Sequence, residues 1–320
     1  MKKFLALLLG VMIALFAVGC EDTTAIKLMA PDGAPGVVIS KLVSDGKVAG
    51  QAVEAEIVAG ADAISTNVAN GTADMAVMPL NLAAKLYNGG VKIKLVSVNI
   101  FGSLYMVGKT DAITDLNSLK GKVVCNIGLG GTPDLTLKYI LTQNGIPFEA
   151  SESAVEGKVA LRYVTAASEL IPLLKTDKVD FGILGEPAVT NCNKNAGTST
   201  VLDIQAEWKK ITGESYTQAG FVVKESLTEN KAFMNILTSS LAETKEWCEK
   251  NSSKIKETLV AKGSSLQIDY TAELIAKCNV GYVSAIEAKT DVESYFNVLM
   301  GFNAKLIGGK LPDSNFYYAA

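Results

Sequence analysis

From Ile26 onward, short apolar runs alternate along the chain with longer stretches whose apolar residues recur at helical spacing. Residues 26–29, 94–98, 103–107, 122–127, 159–164 and 219–223 have the length and composition of strands. Residues 37–43 and 135–141 place apolar side chains on one helical face, each just after a Gly/Pro turn. Helical patterns dominate the last hundred residues, at 231–250, 252–262, 271–278 and 290–307. Strands alternating with helices predict an α/β protein with largely parallel sheets.

The pattern occurs twice. Gly33-Ala34-Pro35 and Gly131-Thr132-Pro133 each sit between a strand and a helix, 98 residues apart. Asp74 and Asp180 each open a buried apolar run that ends in proline, at Pro79 and Pro187, and lie 106 residues apart. Two such pairs in the same order predict two lobes on one plan, and the period is too long for a solenoid. Read as crossover strands, residues 103–107 and 219–223 set the boundaries: 26–104 and 222–320 form lobe I, and 108–217 form lobe II. No Pro/Ser-rich linker separates them, so the joint is a short two-strand hinge.

Composition narrows the chemistry. The 320 residues are 48% apolar and 20% charged, which excludes a disordered chain. A net charge of −3 provides no basic face for nucleic acid. Histidine is absent, which excludes Ser-His-Asp and Cys-His catalysis and His-ligated zinc. Arg162 is the sole arginine, so bidentate clamping of an anion has one candidate. Strand alternation puts Val159, Leu161 and Tyr163 on one face and Arg162 on the other, where a solvated or ion-paired role is expected. Strongly anionic solutes are thereby disfavoured relative to neutral, zwitterionic or weakly basic heterocycles. Lys109, Lys120 and Lys122 are expected in solvent. Cys125, Cys192, Cys248 and Cys278 match no zinc spacing and read as buried thiols, although three disulfide connectivities are open to them. Neither a metal nor a cofactor is expected.

The N-terminus reads as an export address. Lys2 and Lys3 precede an apolar run at 4–18, too short to span a bilayer. Ala17-Val18-Gly19-Cys20 resembles a bacterial lipobox, which makes 1–19 a signal peptide, Cys20 the lipidated residue and 20–25 a tether. Cleavage removes two lysines and leaves a charge of −5. The protein is then extracytoplasmic and held to the membrane by lipid on Cys20.

In Gly130-Gly131-Thr132-Pro133-Asp134, Thr132 can cap a helix whose first residue is Pro133, with Asp134 at the positive end of the dipole. Free amides at such a start bind anionic or carbonyl oxygens without arginine. Gly33-Ala34-Pro35 offers a second start from the other lobe. Ligands of open α/β sheets sit beyond the strand carboxyl ends, so two starts facing each other across a hinge make a closing clamp.

The segments DGAPG at 32–36, NGTADMAVMPLNLAAKLYN at 70–88, SLYMVGK at 103–109, ITDLNSLKGKVV at 113–124, GGTPD at 130–134 and KVDFGILGEPAV at 178–189 resemble one family. It is the nitrate/sulfonate/taurine/thiamine-precursor group of ABC-transporter substrate-binding proteins, and the likeness runs through Gly308-Gly309-Lys310-Leu311-Pro312 to Tyr317. The resemblance implies a two-lobe type II periplasmic-binding fold. It further implies capture of a small solute by a monomer and delivery to an ABC permease and its ATPase. By the same resemblance, Asp32, Gly33, Ala34, Leu80, Asn81, Asn99, Ile100 and Phe101 face the cleft from lobe I. Gly131, Thr132 and Glu186 face it from lobe II. Phe101 is equally suited to core packing, and Glu186 to bracing the hinge or capping a helix. The alternatives are an enzyme on this fold, like the pyrimidine-precursor synthases, and a lipid-anchored sensor. The first would need a reactive group that this sequence lacks or scatters.

Overall fold

The computed structural model describes residues 25–320. The signal segment 1–19, Cys20 and the rest of the tether up to residue 24 lie outside the described residues. Among the described residues, no helix is long and apolar enough to cross a membrane.

Two sheets carry the fold. The first is ordered β13-β5-β12-β4-β1-β3-β2. Its strands are β1 (Ile26–Pro31), β2 (Lys47–Val48), β3 (Gln51–Val58), β4 (Met75–Pro79), β5 (Ile93–Ile100), β12 (Ala219–Lys224) and β13 (Val280–Ser284). The second is ordered β11-β6-β10-β7-β9-β8. It comprises β6 (Leu104–Gly108), β7 (Val123–Ile127), β8 (Phe148–Ala150), β9 (Val159–Val164), β10 (Phe181–Gly185) and β11 (Ser199–Asp203). Helices flank both sheets: α1 (Ala34–Asp45), α2 (Ala61–Ala69), α3 (Leu80–Asn88), α4 (Thr132–Gln143), α5 (Ala167–Lys175), α6 (Ala188–Ala196), α7 (Ile204–Thr212), α8 (Lys231–Lys250), α9 (Ser252–Val260), α10 (Ala272–Lys277) and α11 (Lys289–Asn303).

Strand direction follows from the crossings. In the first sheet β1, β3 and β4 run parallel, and in the second β7, β8, β9 and β10 do. The inner strands β1, β3, β4, β7, β9 and β10 end at the face where the sheets meet. A chain that arrives there and crosses must leave in the opposite sense. Hence β6 is antiparallel to β10, and β12 is antiparallel to β4 and β5. Each sheet therefore keeps a parallel set of inner strands and adds antiparallel strands at and beyond the crossings, so both are mixed. The runs 103–107 and 219–223, expected to cross, lie within β6 and β12, apart from Ser103, and each strand belongs to one sheet. The crossings are shorter irregular links, Phe101 to Ser103 and Gly213 to Gln218. Asn279 braces the first: its Nδ2 donates to Gly102 O at 3.0 Å and its carbonyl accepts from Phe101 N at 3.2 Å. Beside the second, Tyr295 of α11 stacks on Tyr216, with centroids 5.9 Å apart, and leans on Trp208 of α7 at 5.7 Å.

The repeated aspartates have one structural cause. Asp74 accepts from Lys27 N at 3.0 Å, and its own amide donates to Lys27 O at 2.9 Å. Asp180 does the same to Val123, at 2.8 and 3.0 Å. Each side chain satisfies an amide at the start of the parallel strand next to its own, a group that would otherwise be left without a partner. Behind them β4 and β10 are buried along nearly their whole length, as strands covered on both faces must be. Close packing extends to the backbone: a Cβ on Gly220 of β12 would stand 2.6 Å from both Leu95 Cδ1 and Ser97 O. The C-terminal helices form at the expected places, but β13 interrupts them as an edge strand.

Candidate ligand-binding cleft

The carboxyl ends of β1, β3 and β4 face those of β7, β9 and β10 across a cavity of about 250 Å³. The first residues of five helices line it: Ala34, Ala61, Thr132, Ala167 and Ala188. Each is at least nine residues long, so each brings unpaired amides and the positive end of its dipole to the wall. The remaining wall is mainly apolar, with Met78, Leu82, Leu104, Ile127, Ile183 and Leu266 prominent.

The two repeated turns meet here by different local means. Gly33 caps α1 with φ 105° and ψ −147°, a conformation open essentially to glycine alone. Gly131, not Thr132, caps α4, which makes Thr132 the first helical residue and Pro133 the second. The reason lies at Asp134, which is fully buried. Its carboxylate reaches back to Gly130 N at 2.8 Å and also accepts from Lys138 Nζ at 2.8 Å and Tyr163 OH at 2.9 Å. With that cap made from inside the helix, the Thr132 hydroxyl is left buried and without a partner. Burial, and after it the Asp134 carboxylate, push the Tyr163 phenol well up.

Of the residues expected at the cleft, Asp32, Gly33, Ala34, Gly131, Thr132 and Glu186 line the cavity. Two of these carboxylates are occupied. Asp32 accepts from Gly33 N (3.0 Å), Ser264 Oγ (2.7 Å), and Ser265 N and Oγ (both 2.8 Å), which ties the 263–265 loop to the wall. Glu186, joined to Pro187 by a cis peptide, accepts from Thr190 N and Thr190 Oγ1 at 3.0 Å each, capping α6. Leu80, Asn81 and Phe101 are not among the lining residues. Leu80 is buried at the start of α3, where its amide donates to Gln218 O at 3.3 Å. Asn81 is buried and spans the two halves, donating from Nδ2 to Gly130 O at 3.2 Å. Phe101 turns toward β13, its ring edge 3.2 Å from where a Cβ on Gly281 would stand. Asn99 and Ile100 are buried within β5 and also lie off the cavity.

Sequence reasoning passed over Ser103, Gln218, Asp62 and Ser265, which do line the cavity. No motif marks Gln218, Asp62 or Ser265, and Ser103 opens the SLYMVGK segment without being singled out in it; Ser103 and Gln218 fall in the links between sheets. The charged lining side chains are Asp32, Asp62 and Glu186, all acidic, and no lysine or arginine is present. Arg162 lies elsewhere, with its Nε 2.8 Å from Glu152 Oε2. The walls touch around the cavity: a Cβ on Gly60 would lie 2.6 Å from Thr165 O of the opposite half. This is a closed arrangement. Cys125, Cys192, Cys248 and Cys278 are free and buried, and burial raises all four thiols, Cys125 to about 11 and Cys248 to about 12. Among the described residues, no three His, Cys, Asp or Glu side chains converge as a metal site requires.

The family model described as NMT1/THI5 like matches residues 49–247. No curated protein matches the chain. Among solved structures, an ABC transporter from Parabacteroides distasonis is 24% identical, with a TM-score of 0.73, over 92% of this chain and 99% of that one. The periplasmic aliphatic sulphonate binding protein of Escherichia coli is 14% identical, with a TM-score of 0.65, over 92% of each chain. The ligand-binding component of an ABC-type import system from Staphylococcus aureus, solved with zinc bound, is 12% identical. Its TM-score is 0.65, over 92% of this chain and 96% of that one. The shared architecture is that of two-lobe binding proteins.

Proposed function

This chain belongs to the NMT1/THI5-like family, and from that premise we propose that it is the extracytoplasmic solute-binding component of an ABC importer. It captures a small organic solute between two lobes as a monomer and delivers it to a permease driven by an ATPase. The observation that carries this reading is the cavity between the two sheets, lined by helix starts from both sides. The two bodies, drawn from the sequence at 26–104 with 222–320 and at 108–217, turn about the links at 101–103 and 213–218, so their edges fall at Ile100 and Ala219 on one side and at Leu104 and Thr212 on the other. Lipid on Cys20 keeps the protein beside its permease.

A non-enzymatic role is favoured by the state of the reactive groups. The thiols are buried and protonated at neutral pH, two of the three lining carboxylates are held by several hydrogen bonds, and the chain has no histidine. The test has two parts. Mass spectrometry of material released from the purified protein identifies a solute, and small-angle scattering follows the radius of gyration as that solute is restored. A radius unchanged by saturable binding would remove the clamp, and turnover of the solute by the protein alone would replace capture with catalysis.

A further inference from the structure

Ser103 sits where the links and the second sheet meet. Its amide donates to Gln218 Oε1 at 2.9 Å, and its carbonyl accepts from Glu186 N at 3.1 Å. Both backbone groups are thus used, while its hydroxyl, on a residue only 1% exposed, has no partner. The bond from Ser103 N also fixes which end of the Gln218 amide is oxygen, because only the oxygen can accept. The Gln218 nitrogen is left with its protons and no acceptor among the described residues, on a side chain that lines the cavity. Thr132 Oγ1, on a residue also 1% exposed, is a second hydroxyl of the wall without a formed hydrogen bond, with the Tyr295 hydroxyl beside it. Buried polar atoms without partners are costly, and a ligand that satisfies them recovers that cost.

The charges are close to balanced. Five helix starts carry about half a positive charge each and nearly offset the carboxylates of Asp32, Asp62 and Glu186. An anion entering this apolar space would find no side-chain cation. A cation would find Asp32 and Glu186 already accepting hydrogen bonds, and Asp62 in the first turn of α2 at the positive end of its dipole. The volume, about 250 Å³, holds roughly eight waters at liquid density. Resting on the reading of the cleft as a solute site, we infer that the solute is a small uncharged molecule with a carbonyl oxygen. The Gln218 amide nitrogen and the Ser103 hydroxyl donate to that oxygen, and Thr132 Oγ1 meets a second polar atom.

Calorimetry with benzamide, benzoate and benzylammonium tests the inference, because the three share a ring and differ in the charge of the polar end. Benzamide is expected to bind at least about tenfold more tightly than either ion. Gln218→Glu keeps an oxygen for Ser103 N and replaces the donor nitrogen by a charged oxygen, whereas Gln218→Met removes the donors without adding charge; both should weaken benzamide by about tenfold or more, and Ser103→Ala by about fivefold. Equal or tighter binding of either ion, no loss in Gln218→Glu, or no binding of all three at about 10 mM would overturn it. Mass spectrometry of the released solute separates the two levels of the proposal. A charged solute overturns the class and leaves capture standing, whereas an absence of both released solute and bound probe takes capture down as well.

Discussion

Gly60→Ala isolates the closed state from the rest of the fold. Gly60 caps α2 in an extended conformation, φ −160°, that alanine adopts freely. Within its own half the substitution is nearly neutral. Alanine is the poorer N-cap by about half a kcal/mol, and the loss of chain freedom in the unfolded state returns a similar amount. Across the cleft the outcome differs, because the new Cβ would lie 2.6 Å from the Thr165 carbonyl oxygen, a backbone atom with no rotamer to escape into. The halves must separate by roughly half an ångström or more, at an overpacking cost of about 1–3 kcal/mol. Only the closed form bears that cost, so it appears as a five- to 150-fold loss of solute affinity. Titration calorimetry of both proteins with the released solute measures the loss, and thermal unfolding without solute measures the background. Affinity within twofold of the parent would refute the closure reasoning. A solute-free melting point lowered by the full amount would show instead that the two walls touch at all times.

Three further outcomes are expected. Arg162→Gln should change solute affinity by less than about threefold at any salt concentration, because its guanidinium pairs with the exposed Glu152 away from the cavity; a large calorimetric loss would put an anion back in the site. The native protein should resist a thiol reagent at pH 8 and expose Cys125, Cys192, Cys248 and Cys278 only on unfolding, and denaturant melts should show stability falling as pH rises from about 9 toward 12. The sign follows from folded thiol pKa values above 9: the unfolded chain releases these protons first, so alkali favours it, and rapid labelling of folded protein would contradict the burial. Cys20→Ala should move the protein from the membrane pellet to the soluble exported fraction, as fractionation and immunoblotting would report, because two or three acyl chains are needed to hold it there.

Much of the frame was legible because it follows from short-range rules. β4 and β10 read as apolar runs closed by proline, since strands covered on both faces tolerate little else. The 231–250 helix announced itself by periodicity, and Asn230 caps it by accepting from Phe233 N at 3.0 Å. The Asp74 and Asp180 repeat was visible as spacing, although its cause, an amide on a neighbouring strand, is a tertiary contact that no local pattern reveals. β13 was hidden among helices because it is an edge strand of five residues, four of them half-exposed, and carries no long apolar run. Direction was missed for another reason. Whether a strand after a crossing runs with or against its neighbours depends on which end of the sheet the chain enters, and β6 and β12 look locally like any parallel strand.

The cleft divides along the same line. A glycine with φ 105° at a strand-to-helix turn carries its own signature, and Gly33 and Thr132 line the cavity. The polar atoms with no partner in the wall include the hydroxyl of Ser103 and the amide nitrogen of Gln218, which are 115 residues apart and joined by one hydrogen bond. Gln218 belongs to no motif, and Ser103, although it opens the SLYMVGK segment, was not singled out there, because their role arises from being left over. Ser103 spends its amide on Gln218 and its carbonyl on Glu186, Gln218 spends its oxygen on Ser103, and what remains is left without a partner on two residues of the cavity wall. The first half ties Asp32 to Ser265 within itself, and the two halves use up the Asn81 amide nitrogen by meeting at Gly130, so closure helps define which donors stay free. A solute that fits those donors stabilises the arrangement that exposes them. That couples recognition to closure, and it puts the selective contacts at the links, where the least lobe motion brings them into place.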